Sequence, residues 1–205
     1  SATGAGGRNP NNPLTSSYIS DDFQRGSTSS PGELDWATSG SGISVAFIAS
    51  ETNHPGIFEY ASSGANINAL LYANATNASE CGFADTFDAY FIFRFFALTN
   101  VIFRFGFFEI SATPTADPPA AGIYFDFTSA SDTNVFGVTR SASTETRTDM
   151  TVAASTNFVR FRIRRSDAST ITFSMDGTDK TATANIPTGT CRVICQIKTS
   201  SGANA

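Results

Sequence analysis

At 205 residues, with 15% charged side chains and a net charge of −5, the chain suits one large β domain or one domain with tails. It lacks the basic cluster that nucleic-acid binding requires, and none of its apolar runs approaches the ~20 residues of a membrane-spanning helix. Neither nucleic acid nor membrane is therefore expected as a partner.

Residues 1–20 hold Gly, Asn, Pro, Ser and Thr with little to bury, and read as an extended arm or linker. Their start, Ser1-Ala-Thr-Gly-Ala-Gly-Gly7, has neither the charged nor the apolar region of a signal peptide. The missing initiator Met suggests processing, or a chain drawn from within a longer one. Residues 21–205 change character and are expected to form the domain. Asp22-Phe23 and Gly32-Glu-Leu-Asp-Trp36 bring the first aromatic anchors, with Trp36 expected in the core.

Ile43–Ile48, Gly56–Tyr60 and Ala69–Ala73 read as strands, the first two separated by the turn Asn53-His-Pro-Gly56. The next block is the most telling. Phe91-Ile-Phe-Arg-Phe-Phe96, Val101-Ile-Phe-Arg-Phe-Gly-Phe-Phe108 and Ile123-Tyr-Phe-Asp-Phe127 alternate bulky apolar residues with Arg, Gly, Tyr or Asp. Successive side chains of a strand point to opposite faces, so this rhythm predicts half-buried strands near 85–97, 100–110 and 121–128. The proline-rich link Thr113–Pro119 cannot join a sheet. The chain's 19 Phe make a large core available, each contributing roughly 1.5–3 kcal/mol when fully buried.

Strands follow at Val135–Thr139, Thr146–Val152, Phe158–Arg164, Thr170–Met175, Lys180–Asn185 and Arg192–Lys198. Ser141-Ala-Ser-Thr144 and Asp176-Gly177 signal hairpins, the latter strongly, since type I′ turns need positive φ at both central residues. About a dozen strands with no helical periodicity predict an all-β, two-sheet antiparallel sandwich or jelly roll. Alternation places Arg160, Arg162 and Arg164 on one outer strand face, where solvation is their default role.

Cys191 and Cys195 are four apart on one strand, about 13 Å along it, and cannot bridge each other. Either could meet Cys81, although free buried thiols are the simpler expectation. One histidine and no Cys-x-x-Cys leave zinc without ligands. Asp117, Asp126 and Asp132 are scattered acids, and no loop has the dense Asp/Asn pattern of a calcium site. Neither a metal nor a cofactor is expected.

Together, Asp21-Asp-Phe, Gly32-Glu-Leu-Asp-Trp36, Asn53-His-Pro-Gly-Ile57, Phe103-Arg-Phe-Gly-Phe107, Gly122-Ile-Tyr-Phe125, Phe161-Arg-Ile163, Phe173-Ser-Met-Asp-Gly177 and Asn185-Ile-Pro-Thr-Gly189 form an ordered pattern. It resembles the concanavalin A-like lectin/glucanase jelly roll as found in virion proteins of tailed bacteriophages: head fibres, capsid decorations, tail fibres and spikes. The resemblance covers about residues 20–200. It implies a virion surface protein made in the host cytoplasm, with other virion proteins and copies of itself as partners. Such relatives usually add one more strand after the final Lys-Thr segment. The sequence here ends at Ser201-Gly-Ala-Asn-Ala205, so the expected terminal edge is open, supplied by a neighbour, or completed by a strand outside the given sequence.

No catalytic residue is assigned. Glucanases of this type carry Glu-x-Asp-x-x-Glu on one strand, aiming the carboxylates into one groove. Glu33-Leu-Asp35 is the nearest match and lacks the second Glu. His54 lies in a turn, without the Gly-x-Ser-x-Gly elbow of a serine hydrolase. Asn74-Ala-Thr76 and Asn77-Ala-Ser79 match glycosylation sequons, as an Asn- and Ser/Thr-rich chain does by chance. The candidate ligand face is Arg94, Arg104, Tyr124 and Asp126, all expected opposite the Phe side of the aromatic strands. There an exposed aromatic would stack on a pyranose while charged neighbours bind its hydroxyls. The same residues also suit ligand-free cross-strand pairing, worth ~0.2–1 kcal/mol per pair. The function expected is a non-enzymatic, adhesive virion surface component. A carbohydrate- or host-receptor-binding module is the alternative, and a polysaccharide hydrolase the third.

Overall fold

The computed structural model describes residues 26–27, 30–31, 36–40, 43–48, 57–62, 68–72, 81–110 and 117–199. The arm, Glu33, Asp35, His54 and both sequons lie outside these residues. The described strands are β1 (Gly26–Ser27), β2 (Ser30–Pro31), β3 (Ala37–Ser39), β4 (Ile43–Ile48), β5 (Ile57–Ser62), β6 (Asn68–Tyr72), β7 (Cys81–Gly82) and β8 (Phe87–Phe93). They continue as β9 (Val101–Glu109), β10 (Gly122–Thr128), β11 (Asn134–Ser141), β12 (Thr144–Ala153), β13 (Val159–Arg165), β14 (Ile171–Met175), β15 (Thr178–Ala182) and β16 (Thr190–Thr199).

Two antiparallel sheets face each other. The larger runs β12-β11-β10-β9-β16-β6-β3, with β7 also paired to β16, and the smaller runs β15-β14-β13-β8. The β4–β5 hairpin and the β1–β2 ladder stand as separate pairs among the described residues. This is the expected all-β jelly-roll sandwich.

Period-2 alternation builds the core. Phe103, Phe105 and Phe107 of β9, with Ile123, Phe125 and Phe127 of β10, face Phe161, Ile163, Ile171, Phe173 and Met175 of the smaller sheet. Their rings interlock: Phe93 stacks on Phe161 at 4.3 Å, and Phe125 meets Phe173 edge-on at 5.3 Å. Gly137 allows the two sheets to approach. A Cβ there would sit 2.5 Å from the Phe173 ring, inside any tolerable contact. Trp36 is buried, as expected.

Both hairpin signals produce the backbone they require. Ala142 and Ser143 have φ of 47° and 66°, and Asp176 and Gly177 have φ of 45° and 88°. β12 departs from simple alternation. Between Asn134↔Ala153 and Phe136↔Asp149 it accommodates extra residues as a bulge, with Thr151 at φ 58°. The Asp149 carboxylate accepts the Thr151 backbone N–H at 2.7 Å, which fixes this bend.

One expectation needs correction. The final strand leaves no open edge, because β16 lies inside the larger sheet, hydrogen-bonded to β9 on one side and to β6 and β7 on the other. The larger sheet's edges among the described strands are β12 and β3. Within β16, Cys191 stands directly opposite Cys81 in the ladder, while Cys195 lies opposite Leu71 and Phe105.

Candidate functional site

The outer face of the larger sheet carries the residues that alternate with the Phe core. In one row across the strands, Asp149, Phe136, Asp126, Arg104, Gln196 and Leu70 are successive partners. In the next row, Arg147, Val138, Tyr124, Gly106, Ile194 and Tyr72 follow one another. Gly106, at φ 141°, passes so close to β10 that a Cβ would lie 2.6 Å from the Ile123 carbonyl oxygen.

Arg104 is the hub. Its Nε donates to Asp126 Oδ1 at 2.9 Å, and its Nη1 donates to Gln196 Oε1 at 3.0 Å and to Asp117. Gln196 in turn donates to Asn68 Oδ1 at 2.9 Å. The second oxygen of Asp126 accepts from Arg147 Nη2 at 2.7 Å, and the same nitrogen reaches Asp132 Oδ2 at 2.7 Å. Arg147 also lies over the Phe136 ring at 4.0 Å. Asp117 completes the network through Lys198. Three cations and three carboxylates thus alternate across the face, balanced in charge. The acids that raised the question of calcium are held by guanidinium and ammonium groups. Among the described residues no cluster of His, Cys, Asp or Glu could hold a metal ion.

The end of the proline-rich link lies across this face. Asp117 pairs with Arg104 and Lys198, the Ala120 N–H donates to Glu109 Oε1 at 3.0 Å, and the Ala120 carbonyl accepts from the Ser143 N–H at 2.9 Å. Between this segment and β12 a pocket of about 210 Å³ remains, lined by Arg104, Pro118, Tyr124, Asp126, Thr128, Glu145 and Arg147.

Burial sets the electrostatics. It pushes the Asp126 carboxyl above its ordinary value, with Arg104 and Arg147 pulling it back. Burial also opposes ionisation of Asp117, but Lys198 and Arg104 outweigh it and hold this carboxyl below the ordinary value. For Asp132, burial is likewise overcome by hydrogen bonds from Arg147 and the Thr128 N–H, so its pKa is lowered. Burial pushes the Tyr124 phenol up.

Of the four predicted ligand residues, Arg104, Tyr124 and Asp126 are brought together, and Arg94 is not. Arg94 follows β8, which belongs to the smaller sheet, because the chain crosses between sheets from β8 to β9. Its guanidinium stacks on Phe96 at 5.1 Å and Phe158 at 4.7 Å. Tyr124 is also not the exposed platform expected. It is 1% exposed, packed with Leu70, Phe108, Val138 and Ile194 in a second apolar cluster. The sequence reading missed Arg147, Asp132, Glu145 and Gln196. Alternation along β12 and β16 could place Glu145, Arg147 and Gln196 on a face, whereas Asp132 lies in the turn between β10 and β11, and the strand order that brings them to Arg104 is not a local property.

Residues 53–205 match the family profile described as SO2946-like, C-terminal domain. The chain belongs to this SO2946-like family. SO2946 of Shewanella oneidensis MR-1, whose crystal structure is described as that of a protein of unknown function, is 18% identical. The match covers 94% of this SO2946-like chain and 84% of that one at a TM-score of 0.63. The carbohydrate recognition domain of Emp46p, in a potassium-bound form, is 10% identical, with 89% and 88% of the two chains covered and a TM-score of 0.52. Botulinum neurotoxin type C, whose cell entry is described as dependent on two ganglioside molecules, is 12% identical. That match covers 83% of this chain and 40% of the toxin chain, also at 0.52. These likenesses identify the fold as the concanavalin A-like sandwich. No curated protein sequence matches the chain.

Proposed function

We propose that the chain is a non-enzymatic adhesive module whose pocket on the larger sheet binds a carbohydrate. The observation that carries this reading is the convergence of Tyr124, Asp126, Thr128, Glu145 and Arg147 on one polar pocket. Such a set offers hydrogen-bond donors and acceptors for sugar hydroxyls in a concave site. The fold supports it, since Emp46p and botulinum neurotoxin type C are similar sandwiches described with a carbohydrate recognition domain and with gangliosides. Glycoside hydrolysis needs one carboxylic acid to deliver a proton and a second carboxylate to act as nucleophile or base. Here both oxygens of Asp126 accept from arginines, and Glu145 Oε2 accepts from Arg140 at 2.6 Å. Carboxylates held this way suit binding better than proton transfer.

The setting we propose is the surface of a phage particle, as a capsid decoration, head fibre or tail fibre component. The support for that setting is the order and spacing of the sequence motifs. Glycan-array binding by the intact chain tests the binding reading. Tyr124→Phe and Glu145→Gln, which keep the packing, should each weaken the signal several-fold. An array with no bound glycan sinks the reading, and release of reducing ends that disappears in Glu145→Gln would replace it with a hydrolase.

A further inference from the structure

The opposite side of the molecule carries a second surface that the pocket does not use. On the outer face of the smaller sheet, Tyr90 stands opposite Arg162 and Ile92 opposite Arg160, with Asp88 opposite Arg164. Tyr90, Ile92 and, just beyond β8, Phe96 are each 57% exposed. Large apolar side chains exposed at successive outward positions of β8, with another just past its end, are not what a solvated sheet face needs, and exposed apolar patches mark interaction sites. The cations beside them are of two kinds. Arg162 is held by Asp88 through two hydrogen bonds of 2.7 and 2.6 Å and lies over the Tyr90 ring at 4.9 Å. Arg160 and Arg164 are exposed, and among the described residues neither side chain has a carboxylate partner.

We infer that this stripe of Tyr90, Ile92 and Phe96 beside Arg160 and Arg164 is a binding site for an acidic polysaccharide bearing carboxylated sugars. One face of the Tyr90 ring is occupied by Arg162, and its exposure leaves the other for the apolar face of a pyranose. Arg160 and Arg164 lie two strand steps apart on either side of Arg162, roughly 13 Å along β13, and can each take a carboxylate in bidentate fashion. The mixed charge of this face, with an aromatic ring free to stack, favours a carboxylated sugar chain over nucleic acid. Nucleic-acid affinity comes from neutralising many closely spaced phosphates, whereas this face interleaves Arg160, Arg162 and Arg164 with Asp88 and Asp179. The inference goes beyond the pocket reading and does not depend on it, because the sites are on different sheets and use different residues.

Affinity electrophoresis of the intact chain in gels containing polygalacturonate, dextran or single-stranded oligothymidylate tests it. Polygalacturonate should retard the protein and neutral dextran should not. Tyr90→Ala should weaken that retardation about tenfold, the equivalent of one lost stacking contact near 1.4 kcal/mol. Arg160→Gln with Arg164→Gln should abolish it, and Glu145→Gln in the pocket should leave it unchanged. All substituted positions here are exposed or half-exposed, and a thermal midpoint within a few degrees of the parent confirms folding. Absence of retardation by polygalacturonate overturns the inference. So does retardation that survives Tyr90→Ala and the double arginine substitution, or stronger retardation by oligothymidylate.

Discussion

Gly137 shows how one side chain's absence sets the distance between two sheets. Its missing Cβ is where the Phe173 ring lies, 2.5 Å from the position a methyl would take. Gly137→Ala should therefore destabilise the fold by about 1–3 kcal/mol, the ordinary penalty for overpacking a dense core, read as a lower urea midpoint at unchanged slope. Phe173→Leu in the same background should recover part of the loss. Cys195 makes a different residue-scale prediction. Burial pushes its thiol up to about 12, and only the thiolate attacks alkylating reagents. Iodoacetamide at pH 8 should leave Cys195 unmodified in the folded protein and label it fully in denaturant, as peptide mass spectrometry would show. Labelling of Cys195, which is partly buried, at the rate of a free thiol would show that its surroundings do not hold the thiol protonated.

At the scale of elements, the β11–β12 hairpin turns through two non-glycine residues, Ala142 and Ser143, both at positive φ. Left-handed backbone costs an L-residue roughly 1–2 kcal/mol, and Asn and Gly bear it best. Ala142→Asn with Ser143→Gly should raise the thermal midpoint by a few degrees, since about 1 kcal/mol shifts a chain of this size by 2–4 °C. An unchanged or lower midpoint in calorimetry would mean that the turn is held by tertiary contacts, such as the Ser143 N–H to Ala120, rather than by local preference. This hairpin and the Asp176-Gly177 turn were legible in the sequence because each is a short-range property. The strands from Val101 onward were legible for the same reason, since alternation survives wherever one face is core. The bulge in β12 was not. It is fixed by the Asp149 carboxylate caging its own neighbouring backbone, and its residues carry no glycine to mark it. Arg94 was misplaced because alternation gives the face of a strand without giving its sheet.

For the whole molecule, the outer-face network ties distant segments together. Asp117 joins β9 to β16 through Arg104 and Lys198, while Asp132 and Asp126 hold β12 to β10 through Arg147. The polar half of this arrangement was foreseeable as Arg and Asp on one face. Its closure was not, because Asp117, Gln196 and Arg147 reach Arg104 only once the strand order is fixed. Closure changes what mutations here mean. Asp126→Ala would leave Arg104 with Asp117 and Gln196 and Arg147 with Asp132, but would remove the buried carboxylate that joins them and cost about 1–3 kcal/mol, so lost ligand binding in that variant would partly report destabilisation. Acid titration separates the members of the network. Asp117 and Asp132 have folded pKa values below the ordinary carboxyl value. Their stabilisation is therefore present above that value and is lost as pH falls through their lower folded values. Asp126, raised by burial, acts in the opposite sense, losing its contribution as pH rises through its folded value. The urea midpoint should thus fall between about pH 4 and pH 2, and Asp117→Asn, less stable than the parent at pH 7, should converge on it at the acid end. Parallel curves for the parent and Asp117→Asn across that range would show that Lys198 and Arg104 do not hold Asp117 ionised. The loop would then have to be held by Pro118 and the Ala120 hydrogen bonds alone.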